Sequence, residues 1–169
     1  MFHKTVLLVA ALLICSTVTA QKTYKIMGDA SVGSKFRPVE VESPIPLDKP
    51  YAELSAEQKS IFRSNYGVLK ETEQPPFPAK GLEAIYKPLI KGHEKVSRGG
   101  MLFLVAMVDE KGKVENVAVY ESPADSMTEL ANAVLFNTEF DPATCDGSPC
   151  KMEFPFEFKM RNKAKIINN

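Results

Sequence analysis

Cys145 and Cys150 bracket the stretch Asp146-Gly147-Ser148-Pro149, and three chemistries suit such a pair. A disulfide needs a chain reversal between the thiols, which Asp146-Gly147 allows. Dithiol exchange favours two intervening residues over the four present here. A structural zinc needs two further ligands, and past residue 20 the chain holds one histidine, His93. The simplest of the three is a disulfide, provided the chain is exported. So short a loop contributes about 2–3 kcal/mol in the chain-entropy account.

His93 stands in the polar stretch Lys91-Gly92-His93-Glu94-Lys95 with no cysteine or acid–base pair tied to it, which reads as a solvated loop. No Gly-x-Ser-x-Gly elbow, phosphate loop or paired-glycine dinucleotide fingerprint is present. Gly99-Gly100 reads as a flexible lead into a strand. Phe154, Phe156 and Phe158 could stack nucleic-acid bases or pack a core. The expectation is a protein that is not an enzyme, with no metal and no small-molecule cofactor.

Export bears on each of these points. Lys4 precedes an uncharged run from Thr5 to Ala20 that closes on Val18-Thr19-Ala20. A positive start, an apolar middle and small residues at −3 and −1 mark a signal peptide cut before Gln21, hence an exported protein. The alternative is an inner-membrane anchor over residues 5–20. That run has about 16 residues against the roughly 20 of a spanning helix, and Ser16, Thr17 and Thr19 shorten it. Lipoprotein processing at Cys15 would need small residues before it, where Leu13 and Ile14 stand.

The 169 residues include 21 basic and 21 acidic ones; 25% are charged and 44% hydrophobic, an ordinary globular balance. Cleavage leaves 149 residues and a charge of about −1. Such a chain has no general attraction for nucleic acid or anionic lipid, so the three phenylalanines read as core. The remaining length suits one domain.

Residues 21–53 read as an extended, proline-containing linker or strap. Residues 54–75 read as an accessory helix and linker, with a capping box at Ser55 and Gln58 and an apolar face of Ile61, Phe62 and Tyr66. Pro75-Pro76-Phe77-Pro78 stops any preceding helix. Leu82, Ile85, Tyr86, Leu89 and Ile90 then fall at helical spacing, with Gly92 as the stop. Pro88 should kink this helix, or break it and restart it.

Met101–Val108 is an apolar run on both faces, expected to be a central, covered strand. Lys111-Gly112 turns the chain into a return strand with Val114, Val117, Val119 and Tyr120. A second capping box, Ser126 to Glu129, is expected to open a helix with Met127, Leu130, Ala131 and Val134 on one face. From Lys151 to Met160, aromatic and methionine residues alternate strictly with polar ones and Pro155. That pattern predicts a strand buried on one face, and the proline puts it at a sheet edge. The tail 161–169 is basic and polar.

The segment 76–160 resembles the C-terminal domain of the TonB energy-transducer family. The matching features are Pro76-Phe77-Pro78, Gly100 before the strand, the turn from Asp109 to Val114 and Phe140-Asp141-Pro142-Ala143. Asp146-Gly147-Ser148-Pro149 and the alternating aromatic strand complete the set. The resemblance implies an α+β fold with two helices packed on a three-stranded antiparallel sheet; the N-terminal helix and proline-rich segment are additions to it. It also implies a periplasmic protein of a Gram-negative bacterium that binds an extended segment of an outer-membrane transporter as an added strand. Carried onto this chain, the receiving edge comprises Lys151, Glu153, Pro155, Glu157 and Lys159. ExbB- and ExbD-type partners follow only if the N-terminal segment is retained.

Three features depart from the family pattern. Its anchor is longer and carries a histidine, whereas His3 precedes the apolar run here. Its long spacer is absent, and residues 21–53 could span roughly 110 Å at most. Pro155 removes a donor from the receiving strand and, facing outward, would blunt it. The alternative is a stand-alone periplasmic interaction protein that reuses the fold without energy transduction.

Overall fold

The structure, a computed structural model, describes residues 22–27, 40–96 and 99–160. The expected signal segment and the basic tail lie outside the described residues. Among the described residues no helix is long and apolar enough to cross a membrane.

The organising element is a three-stranded antiparallel sheet. Its middle strand is β4 (Gly100–Val108), flanked by β5 (Val114–Glu121) and β9 (Met152–Met160). Helices α2 (Glu83–His93) and α3 (Asp125–Asn137) cover one face. Strand alternation decides which face. Leu102, Leu104 and Ala106 on β4 stand opposite Phe158, Phe156 and Phe154, and all six are buried. This is an α+β domain with helices packed on antiparallel sheet.

The covering of β4 differs from expectation. Met101, Phe103, Val105 and Met107 are only half-buried, because no described helix lies on their face. Their shelter comes from within the sheet. Lys159, Glu157, Pro155 and Glu153 stand opposite them on β9, and the Tyr120 ring lies 5.2 Å from that of Phe103. Long side chains beside an apolar row can cover it with their stems.

The N-terminal part belongs to the same core. Strands β1 (Tyr24–Met27) and β2 (Glu40–Ser43) pair antiparallel, followed by a 3₁₀ turn at Tyr51–Glu53 and α1 (Ala56–Arg63). Val41, Ile45, Leu47, Tyr51, Leu54 and Phe62 are buried in the cluster that holds the sheet's phenylalanines. Phe62 is the junction. Its ring meets Tyr51, Phe77 and Phe154 at centroid distances of 6.2, 4.9 and 6.3 Å. The strap also completes α2, whose Glu83 amide donates to the Leu47 carbonyl at 2.7 Å. That bond satisfies one of the donors a helix start leaves unpaired. The capping box at Ser55 and Gln58 is present.

Two local expectations are corrected, and of the two outcomes expected at Pro88 the break does not occur. α2 runs from Glu83 through Pro88 to His93. It forgoes the bond to the Ala84 carbonyl, on a residue exposed to water. Gly92 does not stop it. A Cβ at Gly92 would fall 2.1 Å from Leu130 Cδ2, so glycine there lets α3 come close. The Ser126 capping box does not form, because α3 starts two residues earlier, behind Ala124. Ser126 is already inside the first turn. The hydroxyls of Thr128 and Ser122, 2.6 Å apart, tie the start together instead.

The β4–β5 turn is fixed by Asp109, whose Oδ1 accepts from the amides of Lys113 at 2.7 Å and Lys111 at 2.9 Å. The Lys113 amide is the chief reason this carboxyl is held below its ordinary value. Short ladders finish the molecule. β3 (Phe77–Pro78) pairs with β6 (Phe140–Asp141), and β7 (Ala143–Cys145) with β8 (Ser148–Cys150). A Cys145–Cys150 disulfide closes the second, with the two Cα atoms 5.7 Å apart.

Candidate functional site

A strand in the middle of a sheet spends its backbone groups on both neighbours; among the described residues β9 has one neighbour, β4. Its outer groups can be assigned from two side-chain bonds. Tyr66 Oη donates to the Glu153 carbonyl and Tyr86 Oη to the Glu157 carbonyl, each at 3.0 Å. Neither tyrosine lies in the sheet, so the backbone groups of Glu153 and Glu157 point away from β4. Strand alternation places those of Pro155 and Lys159 on the same outer side. Pro155 therefore leaves a gap where a donor would stand.

The two tyrosines are held from different directions. Tyr86 projects from α2, its ring 5.0 Å from Phe156 and 6.1 Å from Phe158. Tyr66 lies just past α1, its ring edge-on to Phe62 at 6.0 Å. The loop that carries Tyr66 is drawn in by Arg63, whose guanidinium donates to the carbonyls of Lys70 at 2.7 Å and of Glu73. Burial pushes the Tyr86 phenol up to about 12, with Glu157 adding to it. Burial also raises Tyr66, helped by Tyr51 and Glu153. Both hydroxyls stay protonated, as donors must.

An open groove of about 710 Å³ runs along this edge. Val41–Ile45 and the end of α1 line it on the strap side; β9 from Phe154 to Lys159 lines it opposite, and Leu82, Tyr86, Met101 and Phe103 also contribute. Apolar surface and strand backbone thus meet in one cleft, the combination an extended peptide uses.

Of the residues predicted for the edge, Glu153, Pro155, Glu157 and Lys159 lie on β9. Lys151 precedes the strand, and its ammonium pairs with Glu115 of β5, at the far side of the sheet. His93 is not in a solvated loop. It is the last residue of α2, 1% exposed, with its ring edge-on to Phe158 at 6.2 Å.

Ser148 and Lys151 share the Ser-x-x-Lys spacing of serine hydrolases, a pair the chain was expected to lack. Their surroundings do not match it. The hydrogen bond with Glu115 raises the lysine above its ordinary value, the opposite of what a general base needs. Among the described residues no group of three or more histidines, cysteines and carboxylates could hold a metal.

No protein-family model matches the chain, and no curated protein matches it. The tyrosines that meet β9 come from beyond the strand, and sequence reasoning did not find them. Tyr86 was legible as helix face and Tyr66 as a weak apolar position, but their hydroxyl partners depend on tertiary packing.

Proposed function

We propose that the groove along β9 receives an extended peptide by strand addition, and that the protein is a peptide-binding module with no catalytic role. One observation carries this: β9 is an edge strand whose outer backbone groups face an open, partly apolar groove. The resemblance to the TonB C-terminal domain adds a partner class. On that reading the protein works in the periplasm, and the peptide is the N-terminal segment of an outer-membrane transporter or a strand of another periplasmic protein.

A second reading is a stand-alone interaction protein that shares the fold but takes no transporter peptide. Pro155 and the two engaged carbonyls favour it, since they reduce what the edge can offer.

Amide NMR of the full mature chain, titrated with transporter N-terminal peptides, separates the two. Strand addition predicts shifts of the Glu153, Glu157 and Lys159 amides, with saturation at or below ~1 mM, about 4 kcal/mol of affinity. Unmoved β9 amides at that concentration would leave the second reading.

A further inference from the structure

Taking the groove along β9 as the peptide site, we infer that Tyr66 and Tyr86 close it. Their hydroxyls occupy the carbonyls an added strand would use, and so set how tightly a peptide binds.

Residues that point outward on an edge strand each exchange two hydrogen bonds with the residue opposite on an added antiparallel strand, giving one donor and taking one. On β9 those residues are Glu153, Pro155, Glu157 and Lys159. The carbonyls of Glu153 and Glu157 already accept phenol hydroxyls at 3.0 Å. Pro155, between them, has no N–H to give. The middle of the edge is thus closed by three residues from three parts of the chain: the loop after α1, the strand itself and α2. Each works by a different means, yet all act on the same ladder.

Both tyrosine side chains are built in, which separates them from chance surface contacts. Tyr86 is packed on Phe156 and Phe158, and Tyr66 is fixed by Phe62 and by the Arg63-ordered loop. A peptide therefore has to displace two ordered donors before its own amides can pair. The opposite edge of the sheet is protected by other means. β5 carries an extra residue at Tyr120, between the pairs Phe103–Glu121 and Leu104–Val119, and another at Glu115, between Met107–Asn116 and Val108–Val114. Such bulges break the regular spacing a partner strand needs. With β5 interrupted at both ends, control of β9 is control of the sheet.

The test compares three full mature chains: wild type, Tyr66→Phe/Tyr86→Phe, and Pro155→Val, each checked for the same dispersed amide spectrum. Phenylalanine keeps the packing and deletes only the hydroxyls, while valine restores a donor. Peptide affinity is expected to rise about tenfold in the double tyrosine variant, the sum of two modest hydrogen bonds no longer displaced. It should also rise in Pro155→Val. Unchanged or weaker binding by the folded tyrosine variant would overturn the inference while leaving peptide binding itself intact.

Should no chain bind peptide, the peptide-site reading fails, and self-association gives a separate readout. The variant combining all three substitutions should then associate at lower concentration than wild type in light scattering, as an opened edge does. Identical association curves would overturn the closure as well.

Discussion

The hydroxyl of Tyr86 lies 3.0 Å from the carbonyl oxygen of Glu157, linking α2 to the outer side of β9. Burial against Phe156 and Phe158 holds this phenol up to about 12. In the unfolded chain a tyrosine loses its proton near pH 10. Between these values the folded state binds a proton that the unfolded state has lost, so stability falls as pH rises. The slope is about 1.4 kcal/mol per pH unit, and below pH 10 the contribution is complete. Urea titrations between pH 9 and 12 should show this decline, and Tyr86→Phe should make it shallower. Equal slopes in the two proteins would mean the ring is not protected by the fold.

A chain beginning at residue 54 should not fold. It lacks Val41, Ile45, Leu47 and Tyr51, all buried, and the Leu47 carbonyl that receives the Glu83 amide. Each such side chain contributes about 1.5–3 kcal/mol, against a total stability of roughly 5–15 kcal/mol for a domain. Collapsed amide dispersion in the truncated chain is the expected result. A spectrum that keeps the wild-type β4 and β9 resonances would show that the strap is dispensable.

Gly112→Ala and Gly147→Ala should differ in cost although both glycines have positive φ. At Gly112, φ is +75° and a Cβ would stand 1.9 Å from the Phe140 carbonyl oxygen, so the β4–β5 turn and β6 must part. At Gly147, φ is +83° and the space beside it is open. The second substitution should lose about 1 kcal/mol, the left-handed penalty alone, and the first clearly more than 2 kcal/mol. Denaturant midpoints of the two variants check the order.

Removing the Cys145–Cys150 link should lower stability by about 2 kcal/mol, as a short closed loop implies. Reductant added to wild type should reproduce the melting shift of Cys145→Ser/Cys150→Ser and leave that variant unchanged. The loss should be felt first where the hairpin holds the α1–β3 connection, through Thr72 to Asp146 at 3.1 Å and through the Gln74–Thr144 bridge. A reductant effect that persists in the double variant would place the sensitivity elsewhere.

Period and position separate what was legible from what was not. Strict alternation from Met152 to Met160 identified β9, its buried face and, through Pro155, its edge location. The long apolar run made β4 the middle strand. The same run misled about covering, because half-burial by neighbouring strand side chains and full burial under a helix both favour apolar residues. His93 had a readable signal. Ile85, Leu89 and His93 are four apart and lie on one buried stripe, but taking Gly92 as a helix stop cut the last member away. Glycine served close approach of Leu130, a reason that only packing reveals. The strap carried no helical period, and the period-two spacing of Val41, Ser43, Ile45 and Leu47 fits the expected extended segment without telling that it is buried. Its buried residues are spaced by prolines, and their burial follows from where Phe62 and Phe77 stand in three dimensions.

The register of the central sheet sets the order in which the molecule can be made. Gly100 pairs with Met160 and Val108 with Met152, so the middle strand waits for the final strand of the described core. A ribosome delivers β4 and β5 well before β9, and the hairpin they form exposes one bare side until then. Pairing across so long a stretch of chain closes a large loop and slows folding. Completion of this core therefore waits until β9 has been made, and until then the unprotected strand is β4 itself, whose later partner carries the proline.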